Sequence, residues 1–202
     1  APGIIRLFPD GQIDTSFHTG IGFRANSTHN SYIDCITLDT IRQKIYVGGH
    51  GAGFTSYNGT SRKNLVRLNW DGSVDSSFNV GAGFNASVNE IVLQPDGKII
   101  VGGLFASYDG STYNKIIRLD TIGTPDLTFI APSATNGFNG FIRGVTSIVY
   151  VPNGNGDILV GGDFTTYNGV ACNNLVKLHS DGTIDNTFNA DSLTGIYDIK
   201  IQ

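Results

Sequence analysis

Methionine is absent from all 202 residues, position 1 included, so the chain reads as a processed product or as a segment of something longer. Charge is sparse as well: 15% of residues are Asp, Glu, Lys or Arg, with a net charge of -4 and a pI near 5.4. A chain of that sign has no electrostatic attraction to nucleic acid or to an anionic membrane surface, and neither is expected as a partner. No apolar run approaches the roughly 20 residues of a transmembrane helix, so no membrane insertion is expected. No stretch sustains a 3.6-residue apolar period, which argues against a helical fold. Cys35 and Cys172 are too few to define a disulfide framework. They are expected as unpaired thiols, and they leave the redox compartment open.

What the chain has in quantity is glycine, 27 residues, and phenylalanine with tyrosine, 20 together. The stretch VNEIVLQPDGKIIVGGLFASYDG, Val88 to Gly110, shows how they are used. Two β-branched apolar runs flank a Pro95-Asp96-Gly97 corner, a strong hairpin signal because Gly supplies the positive φ of the turn. An aromatic loop, Phe105-x-x-Tyr108-x-Gly110, follows. The same hairpin recurs at Ile33 to Gly49 and at Val145 to Gly162, followed by FTSYNG and FTTYNG. A second unit, IIRLFPDGQIDTSF at Ile4 to Phe17, returns as LVRLNWDGSVDSSF, as the degenerate IIRLDTIGTPDLTF, and as LVKLHSDGTIDNTF. Its equivalent leucines, Leu7, Leu68, Leu119 and Leu178, are 61, 51 and 59 residues apart. Periods of this size mean a solenoid, a propeller or an array.

Four strands in about fifty residues is the blade of a β-propeller, so the fold class expected is all-β, built of four-stranded antiparallel blades. Strands one and two are the Val88 and Lys98 runs; strand three starts at the Ile116 position and strand four ends at the Phe129 position. One repeat domain covers 1–202, with repeats at approximately 4–64, 65–115, 116–174 and an incomplete 175–202. The chain opens with strands three and four of one blade, holds three whole blades, and reaches Gln202 in strand one of another. A four-bladed ring and part of a larger ring both fit. In strand one, the period of two puts Ile36 with Leu38, Ile91 with Leu93, Ile148 with Tyr150 and Ile199 with Ile201 on core faces. The Gly-Gly pairs of strand two are expected where backbones approach or a bulge forms. Phe78, Phe129 and Phe188 are expected as buried anchors of the outer strand.

The run RLNWDGSVDSSFNVGAGFNASVNEIVLQPDGKIIVGGLF resembles the Delta-60 repeat, a β-propeller-type repeat of bacterial secreted and surface proteins that also occurs in phage proteins. The match extends over essentially the whole chain and is loose at Thr121 to Gly140, where Ile122-Gly123 replaces Asp-Gly. The resemblance implies a non-catalytic scaffold in an extracellular, cell-surface or virion setting. It carries over no active-site residue, and no cofactor is expected.

The residues that invite chemistry have plainer uses. Asp-Gly-x-x-Asp (Asp10/Asp14, Asp71/Asp75, Asp181/Asp185) lacks the six to eight oxygens of a calcium site; the first Asp forms a turn and the second caps the next one. His18, His29, His50 and His179 lack the short spacings of a zinc site. Glu90 and Asp198 share one strand-one slot with Cys35 and Ser147, and would line a central channel, solvated or as an acid-base pair. Asn26, Asn58 and Asn85 begin glycosylation sequons. In an up-and-down blade the short Asp-Gly turns lie on one face and the long crossovers on the other. The long loops hold Arg24, His29, Arg62, Lys63, Phe138, Phe141 and Arg143, which are the expected contacts to a protein partner or larger assembly. The alternative is an extracellular glycan-binding or glycan-cleaving propeller.

Overall fold

The computed structural model describes residues 3–25, 32–51, 53–130, 135–140, 142–152, 155–190 and 194–202. It is all β. In the first repeat β1 is Phe23–Arg24, β2 Ile33–Asp39, β3 Lys44–Gly49, β4 Ser56–Tyr57, β5 Thr60–Ser61 and β6 Leu65–Asn69. The second holds β7 Val88–Leu93, β8 Ile99–Gly103, β9 Ser107–Tyr108, β10 Ser111–Thr112 and β11 Ile116–Leu119. The third holds β12 Val145–Tyr150, β13 Ile158–Gly162, β14 Thr166–Tyr167, β15 Val170–Ala171 and β16 Leu175–Leu178. Three antiparallel sheets, β2-β3-β6, β7-β8-β11 and β12-β13-β16, form the blades.

The fourth strand is much shorter than the pattern suggested. It is a single bridge in each repeat, Leu7 to Ile13, Leu68 to Val74, Leu119 to Pro125 and Leu178 to Ile184. The reason lies one residue further on. Asp75 turns its carboxylate onto the Ser77 N–H (3.0 Å) and hydroxyl (2.6 Å), and this side-chain cap bends the chain out of the ladder. Asp14, Asp126 and Asp185 do the same to Ser16, Thr128 and Thr187.

Each Gly-Gly pair sits opposite a bulge in strand one, between Ile33 and Cys35, Val88 and Glu90, and Val145 and Ser147. The need for glycine is spatial. A Cβ on Gly102 would lie 2.5 Å from Val145 Cγ1 and 2.7 Å from Ile148 Cδ1, both on the next blade. One on Gly103 would lie 2.1 Å from the Ser87 carbonyl oxygen. Glycine therefore lets consecutive sheets stack at short range.

The aromatic loops are two-residue hairpins, and each is bound to the crossover that precedes it. Phe23 pairs with Tyr57, Phe84 with Tyr108 and Phe138 with Tyr167. The rings of Phe23, Phe84 and Phe138 lie 4.2–4.7 Å from those of Phe54 and Tyr57, Phe105 and Tyr108, and Phe164 and Tyr167, respectively. Each tyrosine hydroxyl then donates to the glycine carbonyl of its own repeat's Asp-Gly-type turn: Tyr57 to Gly72, Tyr108 to Gly123 and Tyr167 to Gly182. The hairpins thus reach from the crossover end of a blade to its short-turn end.

The core positions expected in strand one divide. Ile91 and Ile148 are 2% and 3% exposed, whereas Ile36 is 49%, Leu38 52% and Ile201 40%. The expectation fails at these three because no sheet among the described residues packs on their faces. Phe78 and Phe129 are buried as expected, at 0% and 5%, under the guanidinium groups of Arg67 and Arg118. Phe188 is a correction, only half-buried: the turns of Gly72 and Gly182 pack on Phe17 and Phe129, and among the described residues no such turn packs on Phe188, where Lys177 also replaces the covering arginine.

Both cysteines are free. Cys35 Sγ points at the Val88 carbonyl of the next blade, and burial, with Glu90 and Asp34 nearby, pushes its thiol far above the ordinary value. Burial also pushes the Cys172 thiol up to about 11. At pH 8 both thiols are expected to react with a disulfide reagent at least about tenfold more slowly than free cysteine. Rapid labelling of Cys35 in the native chain would show that the junction between β2 and β7 is open.

Candidate functional site

Blades are joined by a repeated ionic latch. The strand-three arginine binds the aspartate eight residues later and a turn carbonyl of the next blade. Arg67 Nε lies 2.8 Å from Asp75, and its Nη1 donates to the Thr121 carbonyl at 2.7 Å. Arg118 binds Asp126 at 3.0 Å and the Ser180 carbonyl at 2.5 Å, and Arg6 binds Asp14 and the Trp70 carbonyl. A strand-two lysine adds a second cation: Lys44 lies 2.9 Å from Asp75 and Lys98 2.8 Å from Asp126. The Asp-Gly-x-x-Asp motif is therefore a turn former plus a buried counter-ion. The signal missed in the sequence was the cation eight residues before each second Asp.

The third blade inverts this charge pattern. Asp157 occupies the lysine's place, and Lys177 bridges Asp157 at 3.0 Å and Asp185 at 2.9 Å. His179 joins them, with ligand atoms of Asp157, His179 and Asp185 within 4.8 Å of one another, a proximity that sequence spacing concealed. The Lys177 ammonium already occupies the place between the two carboxylates that would hold a metal ion.

At the inner edge, the strand-one slot does bring its residues together. Ser147 Oγ lies 3.3 Å from Asp198 Oδ1 and accepts the Ile199 N–H at 3.2 Å. Burial raises the Glu90 carboxyl above its ordinary value, while Lys200 draws it down and Asp198 raises it further. Glu90 and the Asp198–Lys200 pair thus lie within electrostatic reach of each other. The Lys200 hydrogen bond holds Asp198 below the usual carboxylate range. The two carboxyls face different environments, but no activated hydroxyl or thiol accompanies them among the described residues: the Cys35 thiol is held protonated and Ser147 is spent on Asp198 and Ile199.

The crossover end holds a depression of about 330 Å³ lined by Asp34, His50, Ser87, Asn89, Leu104, Ile142, Arg143 and Thr146. Asp34 sits 2.8 Å from His50 Nδ1, and the His50 ring meets Tyr32 edge-on. Asn89 donates to the carbonyls of Arg143 and Val145, and the Arg143 guanidinium lies 4.5 Å from the Tyr197 ring centre. Asp34, Asn89 and Thr146 sit at the three strand-one bulges and Tyr197 at the matching sequence position, with four different chemistries. Periodicity alone does not reveal that the bulge presents them here.

Of the residues expected at a partner surface, Arg143 lines this depression and is exposed. Arg24 is exposed on β1, and Arg62 and Lys63 are half-buried beside the first aromatic hairpin. Phe138 is a correction: at 2% exposure it is the centre of an aromatic trio and offers nothing to a partner. His29 and Phe141 lie outside the described residues, as does Asn26. The other two sequon asparagines use their side-chain oxygens internally, Asn58 on the Gly22 N–H and Asn85 on those of Ala106 and Ser107.

A family model described as "Domain of unknown function (DUF5122) beta-propeller" matches residues 1–17, 44–78, 94–129 and 154–188, more than half of the chain. No curated protein and no solved structure matches it. The matched segments carry strand two, the aromatic hairpin, strand three and the capped turn, and with them the arginine–aspartate latches; strand one and the central Phe23, Phe84 and Phe138 of the aromatic trios lie between them. The chain belongs to the DUF5122 beta-propeller family, whose function is not known.

Proposed function

We propose that this propeller is a non-catalytic interaction module of the Delta-60 repeat type, part of a secreted, cell-surface or virion assembly, which binds a protein partner at its crossover end. One observation carries the reading. The crossover depression gathers Asp34, Ser87, Asn89, Ile142, Arg143 and Thr146 from segments outside the family match, beside His50 and Leu104 from within it, so its lining is mostly chemistry the repeat does not share. Surface that differs between repeats and is held on rigid sheets is where recognition sits. The test is cross-linking mass spectrometry of the native assembly together with an Arg143→Glu variant. Contacts clustered at the crossover end, and association weakened at least about tenfold with unchanged melting, are expected. Contacts concentrated on the Asp-Gly turns would reject the site.

A second reading, extracellular glycan binding at the rim of the same depression, draws on the exposed Tyr197 ring (66%) against Arg143, which lines the depression with Asp34 and Asn89. An aromatic platform with polar neighbours suits a sugar. Saturable oligosaccharide binding abolished by Tyr197→Ala would favour it over a protein partner.

A further inference from the structure

At their short-turn ends the three blades meet in two grooves, and the chain fills only the first from within. Between the first and second blades, Asp39 closes strand one opposite Lys44, and its carboxylate accepts the Arg42 N–H at 2.9 Å and the Arg42 guanidinium at 3.2 Å. That guanidinium also reaches across to the Pro95 carbonyl of the second blade at 3.2 Å. It lies against the Gly97 turn, where an added Cβ would stand 2.8 Å from Arg42 Cζ.

The groove between the second and third blades lacks this cation. Gln94 stands where Asp39 does, with its N–H on the Lys98 carbonyl, and the turn of residues 95–97 is one residue shorter than that of residues 40–43 and carries no arginine. The result is a depression of about 470 Å³ whose lining includes Gln94, Asp96, Lys98, Arg118, Tyr150 and Asp181. Gln94 is 6% exposed, and its side-chain oxygen has no hydrogen-bond partner among the described residues. A buried acceptor without a donor is costly, and the soft terminal torsion of glutamine lets this oxygen turn to a donor that enters the depression.

Two more positions differ between the junctions, and both changes suit a cation. The Thr121 and Ser180 carbonyls hold equivalent places in the arginine latch, so the residue that follows is Ile122 at the first junction and Asp181 at the second. Asp181 Oδ1 accepts the Thr183 hydroxyl and N–H, which hold its carboxyl below the usual range, and its other oxygen has no partner among the described residues. In strand one, Leu93 pairs with Ile99 as Tyr150 pairs with Ile158, so the second groove has an aromatic residue where the other repeat has leucine. The cations that line this groove are already neutralised: Lys98 and Arg118 sit on Asp126 at 2.8 and 3.0 Å. The first junction holds the same arrangement, Lys44 and Arg67 on Asp75, and still seats Arg42.

We propose that the groove between the second and third blades is a binding site for a guanidinium group, which Gln94, Asp181 and the Tyr150 ring hold in the place that Arg42 takes at the first junction. A guanidinium donates in several directions within one plane and stacks on an aromatic face, which a compact ammonium does less well. Both walls belong to complete blades. The site goes beyond the interaction-module reading and lies at the opposite end of the blades from the crossover depression, so the two are tested separately.

Titration of butylguanidinium chloride into the 202-residue chain, followed by backbone NMR, tests this. Saturable one-to-one binding with a Kd of about 1 mM is expected, with shifts at residues 94–98, 150 and 180–182 and at least about tenfold weaker binding of butylammonium. Tyr150→Leu places in the third blade what the second carries naturally, and Asp181→Asn keeps the oxygen that caps the turn. Each is expected to weaken binding at least about fivefold while melting stays unchanged. Exchanging residues 95–97 for the sequence of residues 40–43 is expected to abolish binding, because the chain then fills its own groove. Arg42→Ala is the positive control, expected to lower the melting temperature and to regain it with millimolar butylguanidinium. No saturable binding at about 20 mM, equal binding of butylammonium, or binding indifferent to both substitutions overturns the proposal. So does rescue of Arg42→Ala without shifts at residues 94–98, since a vacant groove of this kind is then detectable and the second is not one. An acetylated Gly-Arg-Gly amide that binds more tightly than agmatine assigns the group to a polypeptide side chain, and the reverse order assigns it to a free guanidinium compound.

Discussion

Truncating Phe78 to alanine is expected to destabilise the fold by about 3–5 kcal/mol, the range for a fully buried aromatic. Phe78 has 0% exposure, meets Tyr46 edge-on at 5.7 Å, and lies under Arg67 at 4.5 Å. Its removal opens a cavity and strips one face of a guanidinium that binds the next blade. The same truncation at Phe188 is expected to cost clearly less. Phe188 is half-buried, and no arginine covers it, because Lys177 occupies the strand-three position. Urea denaturation of the two variants against the parent chain measures both effects. A loss below about 1 kcal/mol at Phe78 would show that the outer edge of the blade is not packed as described.

Asp75→Ala is expected to be of similar size, about 3–5 kcal/mol, because removing one partner of a buried ion pair leaves the other uncompensated. Two cations are stranded here. The Arg67 side chain is 7% exposed and that of Lys44 26%, and both point at the same carboxylate oxygen. Asp185→Ala is the milder case, since Lys177 keeps Asp157 at 3.0 Å.

The same carboxylates predict acid sensitivity. Burial alone raises the Asp75 and Asp126 carboxyls, but hydrogen bonds from Ser77 and Lys44, and from Lys98 and Thr128, outweigh it and hold both far below the usual range. Asp14 and Asp185 are lowered first by their Ser16 and Thr187 hydroxyls and then by Arg6 and Lys177. A carboxyl depressed in the folded chain takes up its proton later than in the unfolded chain. The stability it contributes is complete above the ordinary carboxylate pKa of about 4 and drains away as pH falls below it. The urea midpoint is expected to stay level from pH 7 to about 5 and to drop steeply below about 4. A midpoint unchanged at pH 3 would contradict the latch.

The propeller was legible in the residues because its determinants are local. Asp-Gly corners, β-branched runs and Gly-Gly pairs act within a few positions, and their recurrence around Leu7, Leu68, Leu119 and Leu178 announces stacked units of one kind. The side-chain caps at Asp14, Asp75 and Asp185 were readable for the same reason. Other features depend on neighbours distant along the chain, and the tertiary structure decided them. The strand-three cation reaches its carbonyl on another blade, so Arg67 and Thr121 meet through sheet stacking that no short window records. Phe138 resembled a loop aromatic free for a partner, but its crossover pairs with Tyr167 and buries it. Ile36 and Leu38 carry the same alternation as Ile91 and Leu93, yet the first pair is exposed and Ile91 is buried. A period of two says which residues share a face; whether that face meets another sheet is a property of the assembled stack.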